Sequence, residues 1–189
     1  TQLQAAIDAA EAAGSGTVIC HPGTYKVTGL TINGKVKLVG SSEGEVVIYS
    51  TSNAPIIDCG QVSFEFPVLE NIKIRGDVTA GSSQIGLRVD DATYGLRATV
   101  RNVWIENCGG VGLYVGKAFS SYFENIFVTN CAGYPFLINA PNMPGNTFVH
   151  CYAGNLRDSA PVGFRVKAGE VMLKSCNCLL YTSPSPRDS

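Results

Sequence analysis

The sequence predicts an all-β solenoid, a parallel β-helix closed at its N-terminal end by a capping α-helix. Three observations predict it. A helical spacing of apolar residues is confined to residues 1–13; from Thr17 onward the apolar runs are short and of period two; and those runs recur in two series that advance together along the chain.

In the opening stretch Leu3, Ala6, Ile7 and Ala10 fall at i, i+3, i+4 and i+7, which puts one apolar stripe against a core and leaves Gln4, Asp8 and Glu11 to face water. The glycines of residues 14–16 end it. A short amphipathic helix followed at once by strand signals suits a cap over the unpaired edge of a stacked sheet.

The first strand series is led by asparagine: Asn71-Ile72-Lys73-Ile74-Arg75, Asn102-Val103-Trp104-Ile105-Glu106, Asn125-Ile126-Phe127-Val128-Thr129 and Asn146-Thr147-Phe148-Val149-His150. Between them runs the second: Ile85-Gly86-Leu87-Arg88-Val89, Val111-Gly112-Leu113-Tyr114-Val115, Tyr134-Pro135-Phe136-Leu137-Ile138 and Val162-Gly163-Phe164-Arg165-Val166. Two strand families with one recurrence every 20 to 30 residues are the pattern of coils stacking into parallel sheets, with about seven turns at most. A β-sandwich also shows short strands at regular spacing, but it makes no demand for an Asn at one place in successive coils. In a stack that Asn hydrogen-bonds to its neighbours above and below and satisfies turn backbone groups.

Composition agrees. Charged residues make up 15% of the 189, and there are 21 glycines, a mixture that favours many short strands. The formal net charge of -1 gives no electrostatic case for nucleic acid or an anionic membrane. No apolar run is long enough for a transmembrane helix. Cys20, Cys59, Cys108, Cys131, Cys151 and Cys176 show no C-x-x-C spacing, which argues against zinc and against a compact disulfide framework. They read as core-filling residues, with Cys108, Cys131 and Cys151 expected in one inward column. The chain opens at Thr1 inside a helical pattern, as a fragment would. Residues 178–189 resemble a translated sequencing adapter, so the β-helix domain is assigned to residues 1–177, with further coils expected beyond it in the native protein.

Four stretches, Leu3-Gln4-Ala5-Ala6-Ile7-Asp8-Ala9-Ala10, Gly16-Thr17-Val18, His21-Pro22-Gly23-Thr24-Tyr25 and Lys37-Leu38-Val39-Gly40, resemble the start of β-helices of the pectate lyase superfamily. By motif the resemblance covers residues 1–40, and beyond that the coil pattern carries it. It implies a right-handed parallel β-helix (solenoid) of the kind found in secreted polysaccharide lyases and hydrolases and in phage tailspikes, hence an extracellular or virion-surface location. It says little about the reaction.

The Asn-Thr-Asp, Asp-Asp, Gly-His-Gly and Arg-Ile-Lys motifs of polygalacturonase-like members are absent, and Gly109-Gly110 stand where the acid pair is expected. The one Asp pair, Asp90-Asp91, is a candidate catalytic pair only if a turn makes the two converge; turn formation is its simpler role. If the β-branched residues after each Asn point inward, two outward columns result. One holds Lys73, Trp104, Phe127 and Phe148, an aromatic strip suited to sugar rings unless a loop covers it. The other holds Arg75, Glu106, Thr129 and His150, with Glu106 and His150 as candidate acid–base residues two coils apart and Lys73 and Arg75 as candidate partners for uronate carboxylates. A lyase would call for Ca2+, yet no clustered carboxylates stand out, and no cofactor is identified. Arg75-Gly76-Asp77 spells an integrin-binding tripeptide but reads as a strand-ending turn, and His21 as structural. Two function classes follow: a lyase or hydrolase acting on acidic polysaccharide, or a non-catalytic glycan-binding or stalk module, a homotrimer if tailspike-like.

Overall fold

The computed structural model describes residues 1–42, 45–60, 66–91, 95–154 and 162–179. They form parallel sheets preceded by one α-helix, Gln2–Ala12.

Thr1 caps the helix, its hydroxyl accepting from the Gln4 backbone N–H at 3.2 Å, and Leu3 and Ile7 are its buried residues. The apolar stripe is narrower than the spacing predicts, for Ala6 is exposed. Two residues expected in water do structural work instead. The Gln4 amide accepts from Thr31 N–H and donates to the Thr31 carbonyl, both at 2.9 Å, and the Glu11 carboxylate accepts from Asn33 N–H. Leu30–Ile32 is an edge strand that pairs with Ile57–Cys59 on one side, and on its open side the cap supplies partners for the Thr31 backbone groups.

The strands fall into three parallel ladders that the chain visits cyclically. The first runs through Gly16–Cys20, Val36–Gly40, the N-terminal halves of Val68–Arg75, Thr99–Glu106 and Tyr122–Thr129, then Asn146–Val149 and Val171–Lys174. The second runs through Gly23–Lys26, Val46–Tyr49, the C-terminal halves of the same three long strands, Tyr152–Gly154 and Asn177–Cys178. Because they share those strands, the two form one eleven-stranded sheet; the third ladder is a six-stranded sheet from Leu30–Ile32 to Phe164–Ala168. The last described strand thus takes in Cys178, from the stretch assigned to a tail, while residues 180–189 lie outside the described residues.

The junction between the first two ladders is a single residue in left-handed conformation: Asn71, Asn102, Asn125, His150 and Ser175 have φ of 57°, 52°, 52°, 51° and 53°. Such a residue breaks the period of two, so that the apolar residues on either side, Leu69 and Ile72 or Phe123 and Ile126, both point into the core. The asparagine ladder expected from the sequence is present over three coils. Asn102 Nδ2 donates to Asn71 Oδ1 at 2.9 Å, and Asn125 Nδ2 to Asn102 Oδ1 at 3.0 Å.

Asn146 does not continue it. Its strand pairs with the N-terminal half of Tyr122–Thr129, Tyr122 opposite Thr147 and Phe123 opposite Phe148, so the corner falls four residues later on His150. Asn146 is instead buried, its Nδ2 donating to the Ala118 carbonyl at 2.7 Å and its Oδ1 accepting from Ser121 N–H at 3.2 Å.

The core is continuous. Ile72, Ile74, Ile105, Ile126 and Val128 are fully buried, as are Leu87, Leu113 and Phe136 of the third ladder. The cysteines form two columns rather than one. Cys108 and Cys131 occupy successive coils in one, while Cys151, beside Tyr152, lies in line with Cys176, beside Asn177. The Cys108 thiol is pushed well up by hydrogen bonding to Cys131 and by burial, and the Cys151 thiol to about 12, chiefly by burial. At the far end the last described level leaves Val166, Met172 and Leu173 exposed. Among the described residues no helix is long and apolar enough to cross a membrane.

Candidate functional site

The outward face of the second ladder brings most of the candidate residues together. Its register aligns Val47, Lys73, Trp104, Phe127 and Tyr152 in one column, and Tyr49, Arg75, Glu106, Thr129 and Gly154 in the next. Two expected members are elsewhere. Phe148 is wholly buried, stacked on Phe123 at 4.5 Å between ring centroids, because its strand belongs to the first ladder and the residue falls on the inward side. Tyr152 takes its place in the outward column. His150 is exposed at the left-handed corner, so Gly154, not His150, lies in line with Glu106 and Thr129.

Glu106 is held by two cations from the preceding coil. Lys73 Nζ lies 2.9 Å from Oε2, and Arg75 Nε donates to Oε1 at 2.6 Å. Only 13% of the Glu106 and Lys73 side chains is exposed, against 41% for Arg75. Both carboxylate oxygens are therefore engaged, and the three side chains leave one net positive charge. Lys73 Nζ also lies 4.0 Å from the centre of the Trp104 ring, a cation–π contact.

Trp104 is 37% exposed. It meets Phe127 edge-to-face at 5.2 Å and 77°, and Phe127 stacks on Tyr152 at 4.4 Å and 3°. Phe127 and Tyr152, both half-buried, thus spend faces on each other along the ladder and turn edges outward. Ring edges carry the positive end of the aromatic quadrupole and suit hydroxyl oxygens.

The aspartates are tied into a different arrangement, between the third ladder and the turn after it. Arg88 Nη1 reaches Asp58 Oδ2 at 3.2 Å and Nη2 reaches Asp90 Oδ2 at 2.8 Å. Burial alone would lower the Arg88 pKa; the two aspartates more than offset it, and the guanidinium is raised. Asp90 Oδ1 also accepts from Lys117 N–H at 2.7 Å in the next coil, and buried Asp91 accepts from Gly95 N–H at 2.9 Å. Both serve turns and do not converge as an acid pair. Asp77 likewise caps its own turn through the Thr79 N–H and hydroxyl, bonds that lower its pKa, while Arg75 of the same tripeptide faces Glu106.

Sequence reasoning missed Gln84. Its buried amide donates to the carbonyls of Ser50 at 3.1 Å and Ser52 at 2.9 Å and accepts from Asp77 and Gly109 N–H, both at 2.9 Å. That bonding binds three coils together directly beneath the corner where an acid pair was sought. A Cβ on Gly109 would lie 2.6 Å from the Gly81 carbonyl oxygen, so acidic side chains have no room there.

Among the described residues no group of three or more His, Cys, Asp and Glu side chains is placed to hold a metal.

No family model matches the chain. Over 92% of its length it superposes on the ORF18 protein of Geobacillus virus E2, with a TM-score of 0.70 and 20% identity, covering 38% of that chain. A candidate glycosyl hydrolase of Parabacteroides merdae superposes with a TM-score of 0.69 and 12% identity over 93% of this chain and 86% of that one. The A-module of the mannuronan C-5 epimerase AlgE4 of Azotobacter vinelandii does so with a TM-score of 0.59 and 18% identity, over 93% and 64%. These likenesses, all at 20% identity or less, show a shared fold of strands in parallel sheets. In sequence, the mannuronan C5-epimerase AlgE1 of the same bacterium is 50% identical over 54 residues, 24% of this chain. The chain spans only 4% of the length of that relative. Within this frame the second-ladder face, not the turn aspartates, groups Trp104 with Lys73 and Arg75.

Proposed function

We propose that the chain is a carbohydrate-active, right-handed parallel β-helix solenoid, extracellular or on a virion surface, whose second-ladder face binds an acidic polysaccharide. The observation that carries this reading is the grouping of Lys73, Arg75 and the exposed Trp104 on one outward face. Guanidinium and ammonium groups recognise carboxylates, and an exposed indole beside them offers apolar contact to a sugar ring. The short, strong likeness to an enzyme named for mannuronan supports an anionic glycan as ligand.

Cleavage is the less supported half of the reading. Hydrolysis needs two carboxyl groups about 5 to 9.5 Å apart with oxygens free to act, and Glu106 has both oxygens on cations. The same observation favours a second reading, a non-catalytic glycan-binding stalk.

The deciding experiment is electrophoresis through gels containing acidic or neutral polysaccharide, run alongside an assay for released unsaturated or reducing ends. Retardation in the acidic gels that is lost in Trp104→Ala supports the binding face. Product release adds catalysis; retardation without release selects the stalk reading; and equal mobility in every gel sinks the proposal.

A further inference from the structure

We infer that the face selects a glycan of sparse charge, with one anionic unit followed by neutral ones, rather than a uniformly anionic polymer. This rests on the binding face proposed above and names its ligand more narrowly. From Lys73 to Tyr152 the outer column crosses three strand spacings, about 14 Å. Over that distance the two columns supply Lys73, Arg75 and Glu106, and then only Trp104, Phe127, Thr129, Tyr152 and Gly154. The single net positive charge sits at the end nearer the N-terminal helix, and the described members of these two columns beyond Glu106 are uncharged.

A polyanion laid along this face would place its first carboxylate at Lys73 and Arg75 and its later ones against ring edges and a buried threonine, with Glu106 repelling the carboxylate beside it. Those later charges would lose water without gaining a cation. Neutral sugars lose far less there, because a hydroxyl costs less to desolvate than a carboxylate, their hydroxyl oxygens meet the positive ring edges and their apolar faces meet Trp104. Glu106 is thus the specificity-determining residue: it holds Lys73 and Arg75 in place and cancels one of their two charges.

Trp104 is the chain's single tryptophan, so its emission reports on this face directly. The test titrates the chain with three oligosaccharides of similar length: xylotetraose, a xylotriose bearing one glucuronate, and tetramannuronate. The mono-uronate is expected to bind at least about fivefold tighter than either of the others. A single ion pair loses on the order of fivefold in affinity per tenfold rise in salt, whereas three or four would lose on the order of a hundredfold. Tetramannuronate binding tightest, with the steep salt dependence, overturns the inference and leaves the acidic-polysaccharide reading standing. No change in emission with any of the three overturns both.

Two variants, each checked by thermal melting, keep the inference falsifiable. Glu106→Gln leaves both cations uncancelled and is expected to shift the preference toward tetramannuronate. Lys73→Gln leaves Arg75 neutralised by Glu106 and is expected to bring the mono-uronate down to the level of xylotetraose. An unchanged order of affinities in either folded variant overturns the assignment.

Discussion

Two aromatic ladders run through the same coils, one inside and one outside. Inside, Phe123 stacks on Phe148 at 4.5 Å, Phe148 meets Phe136 edge-on at 6.2 Å, and Phe136 stacks on Phe164 at 4.2 Å. Outside, Trp104, Phe127 and Tyr152 meet at 5.2 and 4.4 Å. Ring geometry barely distinguishes them. What does is burial and company: Phe123, Phe136 and Phe148 are wholly buried among aliphatic side chains, whereas the outer ladder begins at an exposed indole in contact with Lys73. Stacking is what a parallel register does to any ring repeated from coil to coil, so it is no mark of function by itself.

The ion clusters divide in the same way. Arg88 is held by two aspartates, one of which also binds backbone in the next coil; Glu106 is held by two cations through side chains alone. Both bridge successive coils, the first also through backbone; only the second lies on the face proposed to meet a ligand.

Substitutions sharpen this contrast. Phe148→Ala empties a fully enclosed site and is expected to cost about 3–5 kcal/mol in chemical denaturation. Arg88→Met leaves Asp58 and Asp90 facing each other without their cation; because Arg88 is partly exposed, the expected loss is about 2–3 kcal/mol, read in the same way. Phe127→Ala removes a half-buried ring from the outer ladder and is expected to cost about 2 kcal/mol. Lys73→Met leaves the largely buried Glu106 on Arg75 alone and is expected to cost about 1–2 kcal/mol. An outer substitution as costly as Phe148→Ala would erase the distinction.

Much of this was legible in the sequence. Asn71, Asn102 and Asn125 could be aligned because asparagine is both the usual non-glycine residue for the left-handed corner and the one able to hydrogen-bond along a ladder. The alignment failed at Asn146, where the lettering continues but the geometry does not. The corner needs a residue that tolerates positive φ between two inward apolar residues, and that pattern reads Leu69-Glu70-Asn71-Ile72, Val100-Arg101-Asn102-Val103, Phe123-Glu124-Asn125-Ile126, Phe148-Val149-His150-Cys151 and Leu173-Lys174-Ser175-Cys176. Aligning on the flanking apolar pair rather than on the asparagine would have put Phe148 in the core and Tyr152 on the face. Cys151 would have fallen in line with Cys176 for the same reason.

The ion pairing was illegible for a different reason. Lys73, Arg75 and Glu106 were each placed outward correctly, but whether two cations converge on one carboxylate depends on rotamers of long side chains across coils 31 residues apart in sequence. Gln84 escaped notice because a single glutamine in a turn carries no periodic signal.

The central claim is that Trp104 belongs to a binding face and not to the core. It is tested most directly by measuring Trp104→Ala twice, for unfolding free energy and for binding to the acidic polysaccharide that retards the unsubstituted chain. The account expects a stability loss of about 1–2 kcal/mol, from the contacts with Phe127 and Lys73, together with at least tenfold weaker binding. A loss of about 3–5 kcal/mol with binding unchanged would contradict it and place the indole with Phe148 as part of the packed interior.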